Sequence, residues 1–208
     1  MSQTTPAVFV VDDDKSVRRG LERLLRSAGY AVESFASAAA FLESGQRDHD
    51  AACLVLDLSM PGLNGTDLQS RLRLLRSPLA IVFISGHGDI PTTVRAIREG
   101  AVDFLPKPFA DDQLLEAVAR AIARTRQESR SLQVLRELQQ RLATVSERER
   151  EVLVKIVTGK PNKQVADELG IAEKTIKIHR ARILAKMQVA SVTELVPLAA
   201  KLGLLASS

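Results

Sequence analysis

The chain has 208 residues, of which 45% are hydrophobic and 26% are charged, as in a globular protein of one or two domains. Its single cysteine excludes an intrachain disulfide, and no apolar run approaches the roughly 18 residues that a membrane-spanning helix needs. The N-terminal segment lacks the basic and apolar stretches of a secretory signal, so we expect a cytoplasmic protein with no membrane partner.

The net charge of +4 is unevenly distributed along the chain. Residues 1–119 carry 12 lysines and arginines against 16 acidic residues, whereas residues 143–208 carry 11 against 7. The segment between them, residues 120–142, carries 6 against 2. A basic rear is typical of a domain that binds a polyanion, although solvated surface charge would give the same totals.

Short apolar segments of strand character alternate with helical patterns over the front half of the chain. The predicted strands are Ala7–Val11, Tyr30–Phe35, Ala51–Leu56, Leu79–Ile84 and Asp103–Leu105. The helices predicted between them are Ser16–Ala28, Ser37–Ser44, Asn64–Leu75 and Pro91–Glu99. This alternation predicts an α/β fold with a five-stranded, parallel, doubly wound sheet that has helices on both faces.

Polar side chains follow four of these strands. Asp12 and Asp13 follow the first strand, Asp57 the third, Ser85 the fourth and Lys107 the fifth. Because right-handed crossovers bring the carboxyl ends of parallel strands to one edge, we expect these side chains to lie together. Two acidic strand ends, a hydroxyl and an amine at one edge favour a functional site over coincidence.

The residue types at this edge suit phosphoryl transfer. Crowded carboxylates repel one another unless a cation lies between them, and oxygen ligands without histidine or cysteine favour Mg²⁺, or Mn²⁺ in its place. We therefore expect a metal ion near Asp12, Asp13 and Asp57, with Asp57 as the nucleophile that forms an acyl phosphate. Lys107 would pair with one phosphoryl oxygen and Ser85 would donate its hydroxyl to another.

Three nearby residues have a simpler interpretation than a catalytic one. Asp14 is expected to be an acid at a helix N-terminus rather than a third metal ligand. His87 is expected to be a loop residue rather than a base, and Cys53, inside an apolar run, a buried core thiol.

The segments FVVDDD, LVLDLSMPG and FLPKPF, together with Ser85, resemble the receiver domain of two-component response regulators. The likeness runs in order from Val8 to about Ala121. It implies a flavodoxin-like, CheY-like fold in which Asp57 accepts a phosphoryl group from a phosphohistidine on a sensor histidine kinase. It also implies that two copies pair through the fourth helix and the fifth strand once Asp57 is phosphorylated.

The same resemblance implies further residue roles. Asp13 is the main acidic metal ligand, Asp12 supports it, and the backbone carbonyl of Ser59 completes the protein's share. Ser85 and Phe104 form the switch pair, in which the hydroxyl moves to the phosphoryl group and the ring turns inward. Many receivers have threonine and tyrosine there, so Phe104 puts any mechanism that needs a tyrosyl hydrogen bond in doubt.

A helical pattern continues beyond the predicted receiver. Neither glycine nor proline interrupts residues 110–145, so we predict that the fifth receiver helix runs on as a linker helix to about Ala143. A leucine stripe along it comprises Leu132, Leu135, Leu138 and Leu142. The stripe either forms a coiled-coil seam or packs against the next domain, and its length of about two heptads slightly favours packing.

Four helical patterns follow in the basic rear. They cover Glu147–Thr158, Lys163–Leu169, Glu173–Met187 and a last helix that starts at Ser191. Ser146 and Glu149 predict a capping box for the first, and Asn162 is expected to cap the second. The second and third helices, joined by a short turn that contains Gly170, predict a helix-turn-helix.

The helix Glu173–Met187 has an apolar face and a basic face, as a DNA-recognition helix does. Residues at core spacing are Ile176, Ile183, Leu184 and Met187. The stretch from about Val145 to Ala200 resembles the LuxR-type domain of FixJ-like regulators, and the linker resembles that of regulators of aromatic-hydrocarbon catabolism. Ala172 stands where many relatives have a capping Ser or Thr, a local loss of about 1 kcal/mol.

The LuxR-type resemblance divides the exposed face of this helix into two groups. The residues that it implies face base edges are Lys177, Ile178 and Ala181. The residues that it implies hold phosphates, which position without specifying, are Lys174, Thr175, Arg180 and Arg182.

We therefore expect a FixJ-like, DNA-binding response regulator. Its expected parts are a receiver (1–121), a helical linker (122–143) and an all-α, four-helix LuxR-type helix-turn-helix domain (144–208). Phosphorylation would promote dimerisation and promoter binding to activate transcription, with RNA polymerase as a further partner. Its catalysis would be limited to its own phosphorylation and dephosphorylation.

Two other functions stay open from the sequence. An aspartate-nucleophile phosphatase also places Asp after a strand, but it usually needs a second Asp two residues on, where this chain has Ser59. The other is a phosphorylation-controlled module whose rear helices form a small bundle that binds a protein rather than DNA, and the basic face argues against it.

Overall fold

The computed structural model describes residues 5–46, 49–86 and 90–205, so His87 lies outside the described residues. The strands are β1 (Ala7–Val11), β2 (Ala31–Phe35), β3 (Ala52–Asp57), β4 (Ala80–Ser85) and β5 (Asp103–Pro106). The helices of the same region are α1 (Lys15–Ser27), α2 (Ala38–Glu43), α3 (Gly65–Leu74) and α4 (Ile90–Arg98). The helices that follow are α5 (Asp111–Ala143), α6 (Glu147–Ile156), α7 (Asn162–Leu169), α8 (Glu173–Met187) and α9 (Val192–Lys201).

The chain divides into two compact units, residues 1–130 and 131–208, and α5 contributes to both. In the first unit the five strands pair in parallel in the order β2-β1-β3-β4-β5. This is the doubly wound, flavodoxin-like order, in which the strand order reverses between β1 and β3. The predicted fold class of the front half, and the continuation of its last helix to Ala143, are confirmed.

The two faces of the sheet are covered by different helices because strand side chains alternate between the faces. Phe9, Leu54 and Phe83 pack with residues of α2, α3 and α4 on one face. Val10 and Val55 pack with residues of α1 and α5 on the other. β3 is buried along its whole length, so the side chain of its last residue, Asp57, is held by a fully packed strand.

Cys53 lies in the middle of this buried strand, as predicted. Burial raises the pKa of its thiol, which keeps it protonated and unreactive. Cys53 is therefore a core residue of the sheet.

The second unit has its own core. Val152 and Ile156 of α6 pack with Ile176 and Ile183 of α8. Leu142, at the end of α5, belongs to the same core, which supports the packing interpretation for this leucine. In the part of the chain that the structure describes, no single helix is long and apolar enough to span a membrane. α8 and α9 reach the required length and hydropathy only when taken together, and they are bent by 61° relative to each other.

The predicted ends of helices are right in two cases and wrong in one. Ser146 and Glu149 form the predicted capping box of α6, and Ala172 is the N-cap of α8 without a side-chain hydrogen bond. The prediction that Asn162 caps α7 is wrong, because Pro161 holds the N-cap with φ −67° and Asn162 is already helical. The Asn162 side chain instead accepts a hydrogen bond from Arg180.

Candidate functional site

Asp57 is the last residue of β3, and its carboxylate is buried at the carboxyl edge of the sheet. The strand was predicted to stop at Leu56, but parallel pairing with Ile84 extends it by one residue. Asp57 Oδ2 accepts the backbone N–H of Ser59 at 3.0 Å, and Oδ1 accepts from Lys107 Nζ at 2.8 Å. Burial raises the pKa of the Asp57 carboxyl above its ordinary value, although both hydrogen bonds oppose that shift.

Lys107 bridges the two buried carboxylates of the edge. Its Nζ donates to Asp12 Oδ2 at 2.7 Å as well as to Asp57 Oδ1. Its backbone N–H donates to the carbonyl of Ser85 at 2.7 Å, which fixes the residue just beyond β5. Burial disfavours the ammonium, but the two carboxylates outweigh it and raise the pKa of Lys107.

The loop between β1 and α1 is held by its own carboxylates. Asp12 Oδ1 accepts the backbone N–H of Asp14 at 2.8 Å. Asp14 caps α1 by accepting from Ser16 and Val17, as expected of a helix N-terminal acid. The hydroxyl and backbone N–H of Ser16 lower the pKa of Asp14. Asp13 is exposed, so of the three predicted acidic ligands Asp12 and Asp57 are buried and Asp13 is not.

The oxygen atoms at this edge suit a hard cation. Asp12, Asp13, Asp57 and the carbonyl of Ser59 supply oxygen donors, which Mg²⁺ prefers. The described residues nevertheless contain no preassembled group of three or more acidic, histidine or cysteine side chains that could hold a metal ion. The donor atoms therefore fit the metal by their chemistry. Lys107, which already pairs with Asp12 and Asp57, would compete with the metal as a second cation.

The predicted switch residues lie on neighbouring strands. Ser85 is buried at the end of β4, and Phe104 is half-buried on β5. The Phe104 ring packs against Phe83, with ring centroids 6.5 Å apart, and touches the core beneath α4. The ring is therefore partly accessible in this structure, with room for a change in burial.

Three contacts near the site were not predicted. A Cβ atom at Gly65 would lie 2.5 Å from the carbonyl oxygen of Asp57, so the first residue of α3 has to be glycine for the helix to approach this closely. Arg18 donates to the carbonyls of Asp12 and Asp13 at 2.7 and 2.9 Å. In the sequence, the position of Gly65 directly after the N-cap Asn64 is a signal for the close approach of α3 to β3.

The third contact joins α3 to α4. Buried Gln69, one turn beyond Gly65, donates from Nε2 to the carbonyl of Ala96 at 3.0 Å. Its Oε1 has no hydrogen-bond partner among the described residues. No sequence motif predicts this contact. Gln69 is a polar residue at a buried helix position that apolar residues ordinarily occupy.

In the second unit, α8 presents the predicted basic face. The predicted DNA-contacting residues that are exposed are Lys174, Lys177, Ile178, Ala181 and Arg182. Thr175 and Arg180 are half-buried, and Arg180 Nη1 donates to Asn162 Oδ1 at 3.2 Å, which ties α8 to the start of α7. Arg180, which was predicted to contact a phosphate, therefore also contributes to the packing of α8 against α7.

An ion pair between the buried Glu149 and the half-buried Lys186 fixes α8 against α6. Lys186 Nζ donates to Glu149 Oε2 at 2.6 Å, and the same oxygen accepts the backbone N–H of Ser146 at 2.9 Å, which closes the capping box. The hydrogen bond from Lys186 lowers the pKa of Glu149 to about 2. The basic face of α8 is thus presented by a helix whose opposite side is packed and paired.

Comparisons with known proteins match both halves of the chain. The family model of the response regulator receiver domain matches residues 8–119, and that of bacterial regulatory proteins of the luxR family matches residues 143–199. The sequence is 46% identical to Nodulation protein W of Bradyrhizobium diazoefficiens over 99% of this chain and 90% of that protein. It is 41% identical to the transcriptional regulatory protein FixJ of Azorhizobium caulinodans, over 98% of this chain and 95% of that protein.

A solved structure is also similar over nearly the whole chain. The response regulator StyR, in a low-resolution structure, matches with a TM-score of 0.80 and 46% identity. The match covers 95% of this chain and all of that one. The order of the two domains and the fold of each are therefore shared with a response regulator of known structure.

Proposed function

The chain belongs to the FixJ-like two-component response regulators, which control transcription through a receiver and a LuxR-type DNA-binding domain, and we propose that Asp57 is its phosphoacceptor. The observation that carries this is the position of Asp57 at the buried end of β3, with Lys107 at 2.8 Å and the Ser59 N–H at 3.0 Å. A receiver implies a sensor kinase as phosphodonor, and the DNA-binding domain implies promoter DNA.

Lys107 and Ser59 prepare the carboxylate for attack. Both contact Asp57 through hydrogen bonds that fix its orientation at the sheet edge. On transfer, a carboxylate oxygen bonds to phosphorus and the kinase histidine leaves with its bonding pair. Lys107 then pairs with a phosphoryl oxygen, and the buried Ser85 hydroxyl donates to another, which stabilises the product by charge and hydrogen bonding.

Mg²⁺, or Mn²⁺, would be held by Asp12, Asp13, Asp57 and the Ser59 carbonyl, where it would neutralise charge on the phosphoryl group. Arg18, which donates to two carbonyls of the loop carrying Asp12 and Asp13, keeps that loop in place. The chain's own catalysis is confined to gain and loss of this phosphoryl group.

The response would pass to the face formed by α4 and β5. Val94 and Ile97 of α4 are 42% and 43% exposed, large values for apolar side chains. Phe104 of β5 turns inward as Ser85 moves to the phosphoryl group, and a second copy then pairs with this face. Two linked DNA-binding domains bind a two-fold site far more tightly than one.

DNA binding would follow the division predicted from the sequence. Lys177, Ile178 and Ala181 read base edges, whereas Lys174, Thr175 and Arg182 hold phosphates. Arg180 positions α7 through Asn162 as well as contacting a phosphate. We propose domain boundaries at 1–121, 122–143 and 144–208. We also propose that the protein acts in the cytoplasm and that it activates transcription through RNA polymerase.

Site-specific labelling tests the phosphoacceptor. With a small phosphodonor and Mg²⁺, the wild type should gain one phosphoryl group on the peptide that contains Asp57. Asp57→Asn should gain none, whereas Asp112→Asn, which removes the same charge from the exposed start of α5, should be labelled like the wild type. Labelling of Asp57→Asn at the wild-type rate would contradict the assignment.

A further inference from the structure

The basic face of α8 contains an unexpected carboxylate. Glu173 is the first residue of the helix, and its side chain is 46% exposed. Its Oε1 lies 3.3 Å from Nζ of Lys177, whose side chain is 65% exposed. The two residues are four apart, so they stand on the same face of the helix, one turn from each other.

A local structural role accounts for little of this arrangement. An acidic residue in the first turn of a helix and an exposed (i, i+4) ion pair each stabilise a helix only weakly. Against this, a carboxylate on a face that approaches phosphates is repelled by them and diminishes the attraction of Lys177. Such a charge weakens binding to DNA in general, unless it gains a donor at particular sequences.

We propose that Glu173 is a specificity-determining residue that accepts a hydrogen bond from the N4 amino group of a cytosine in the major groove. The N-terminal residues of a recognition helix lie next to base edges, and cytosine N4 is the donor that a glutamate side chain reads there. This proposal rests on the proposed function, in which α8 is the recognition helix.

The ion pair gives Glu173 a second effect, on DNA of the wrong sequence. While Glu173 pairs with Lys177, the ammonium is partly compensated by a carboxylate and releases fewer counterions from phosphates. At the correct site the carboxylate turns to cytosine, and Lys177 is released to a neighbouring base edge. Glu173 therefore lowers affinity for arbitrary DNA and raises the ratio of specific to non-specific binding.

The variant Glu173→Gln tests both effects. Sites are selected from randomised duplexes by the phosphodonor-treated full chain, and dissociation constants are measured on selected and unrelated duplexes over a range of salt. Because glutamine pairs with adenine, we expect one position in each half-site to change from cytosine toward adenine, and the specificity ratio to fall about tenfold. The salt slope on unrelated DNA should steepen by about one ion for each bound α8 as Lys177 is freed.

Two further variants separate this role from a general charge effect. Glu147 is the exposed first residue of α6, so Glu147→Gln removes the same charge from the same helix position and should leave base preference and slope unchanged. In a Lys177→Gln background, Glu173→Gln should no longer steepen the slope.

The outcomes distinguish the proposal from its premise. If Glu173→Gln selects the same sites with the same specificity ratio as the wild type, or if Glu147→Gln changes both as much, the role of Glu173 is overturned. If the wild type shows no sequence preference at all, the assignment of α8 as a recognition helix fails first, and Glu173 fails with it.

Discussion

The two functional surfaces of this chain are built in opposite ways. At the edge of the sheet, Asp12 and Asp57 are buried, and each carboxylate has a neighbouring ammonium and a backbone N–H as partners. On α8, by contrast, Lys177 is 65% and Ile178 45% exposed, and the contacts that order the helix lie on its other side. Phosphoryl chemistry depends on charges that are oriented in advance, whereas base reading depends on side chains that can still exchange partners.

Removing Lys107, the ammonium that Asp12 and Asp57 share, should affect the site at the sheet edge strongly and the DNA-binding face of α8 hardly at all. In Lys107→Ala, the rate of Asp57 labelling by a small phosphodonor should fall by about 100-fold, because a preorganised donor at the developing charge is lost. Affinity of the unphosphorylated chain for unrelated DNA should stay at the wild-type value. A labelling rate within twofold of wild type would show that Lys107 is not part of the chemistry.

A side chain at position 65 should disturb the first unit, because it would crowd the backbone of Asp57 and Leu58. Gly65→Ala places a Cβ within 2.5 Å of the Asp57 carbonyl oxygen and 3.0 Å of Leu58 Cα, both backbone atoms that cannot move aside cheaply. We expect the free energy of unfolding of the first unit to fall by about 3 kcal/mol, the upper end for overpacking. Amide hydrogen exchange measures it, with Gly20→Ala, where a Cβ meets nothing within 4 Å, as the control.

Breaking the ion pair between Glu149 and Lys186 should destabilise α6 and α8 in a pH-dependent manner. In Glu149→Gln, loss of the charged hydrogen bonds to Lys186 and Ser146 should lower the free energy of unfolding of this unit by about 2 kcal/mol at neutral pH. Because the folded-state pKa of Glu149 is depressed from 4.5 to about 2, its contribution is complete above pH 4.5. It should disappear as the pH falls toward 2.

The measurement is the difference in stability between wild type and Glu149→Gln across that acid range. The difference should shrink with falling pH, since protonation of Glu149 abolishes the ion pair in the wild type. A difference that is constant from neutral pH to pH 2 would mean that packing of the side chain, not its charge, is what stabilises α8.

The smallest expected effect is the repair of a missing cap. Ala172→Ser gives α8 an N-cap hydroxyl where the present residue offers none, and should stabilise the second unit by about 1 kcal/mol. Thermal unfolding of the second unit reports it, with the wild type as the reference, since alanine is a poor N-cap residue. A serine variant no more stable than the wild type would contradict the cap.

The fold was predictable because its information is local. β1 and most of β3 are apolar runs, α1 repeats leucines at helical spacing, and Asp12, Asp57 and Ser85 each stand at the end of a strand or directly after it. The roles of Asp57, Lys107 and the α8 residues were predicted from that order and from family resemblance, and they stay predictions until the residues are tested.

The contacts that tie the site together were not predictable from local pattern. Lys107 and Asp12 are 95 residues apart, and their 2.7 Å contact depends on strand order. Gln69 and Ala96 are 27 apart and are joined by helices on one face of the sheet. Asn162 failed as a cap because Pro161 already holds that position with φ −67° and ψ 153°. The first two depend on geometry between elements, whereas the third depends on the backbone conformation of the neighbouring residue.

We expect the charge state of one buried carboxylate, Asp57, to control DNA binding by α8. The direct test is the ratio of affinity for a promoter fragment with and without a small phosphodonor, measured side by side for wild type and Asp57→Asn. The wild type should bind more tightly and sediment as a dimer when treated, whereas Asp57→Asn should respond in neither assay. An equal response of Asp57→Asn, or no response of a fully labelled wild type, would contradict the account.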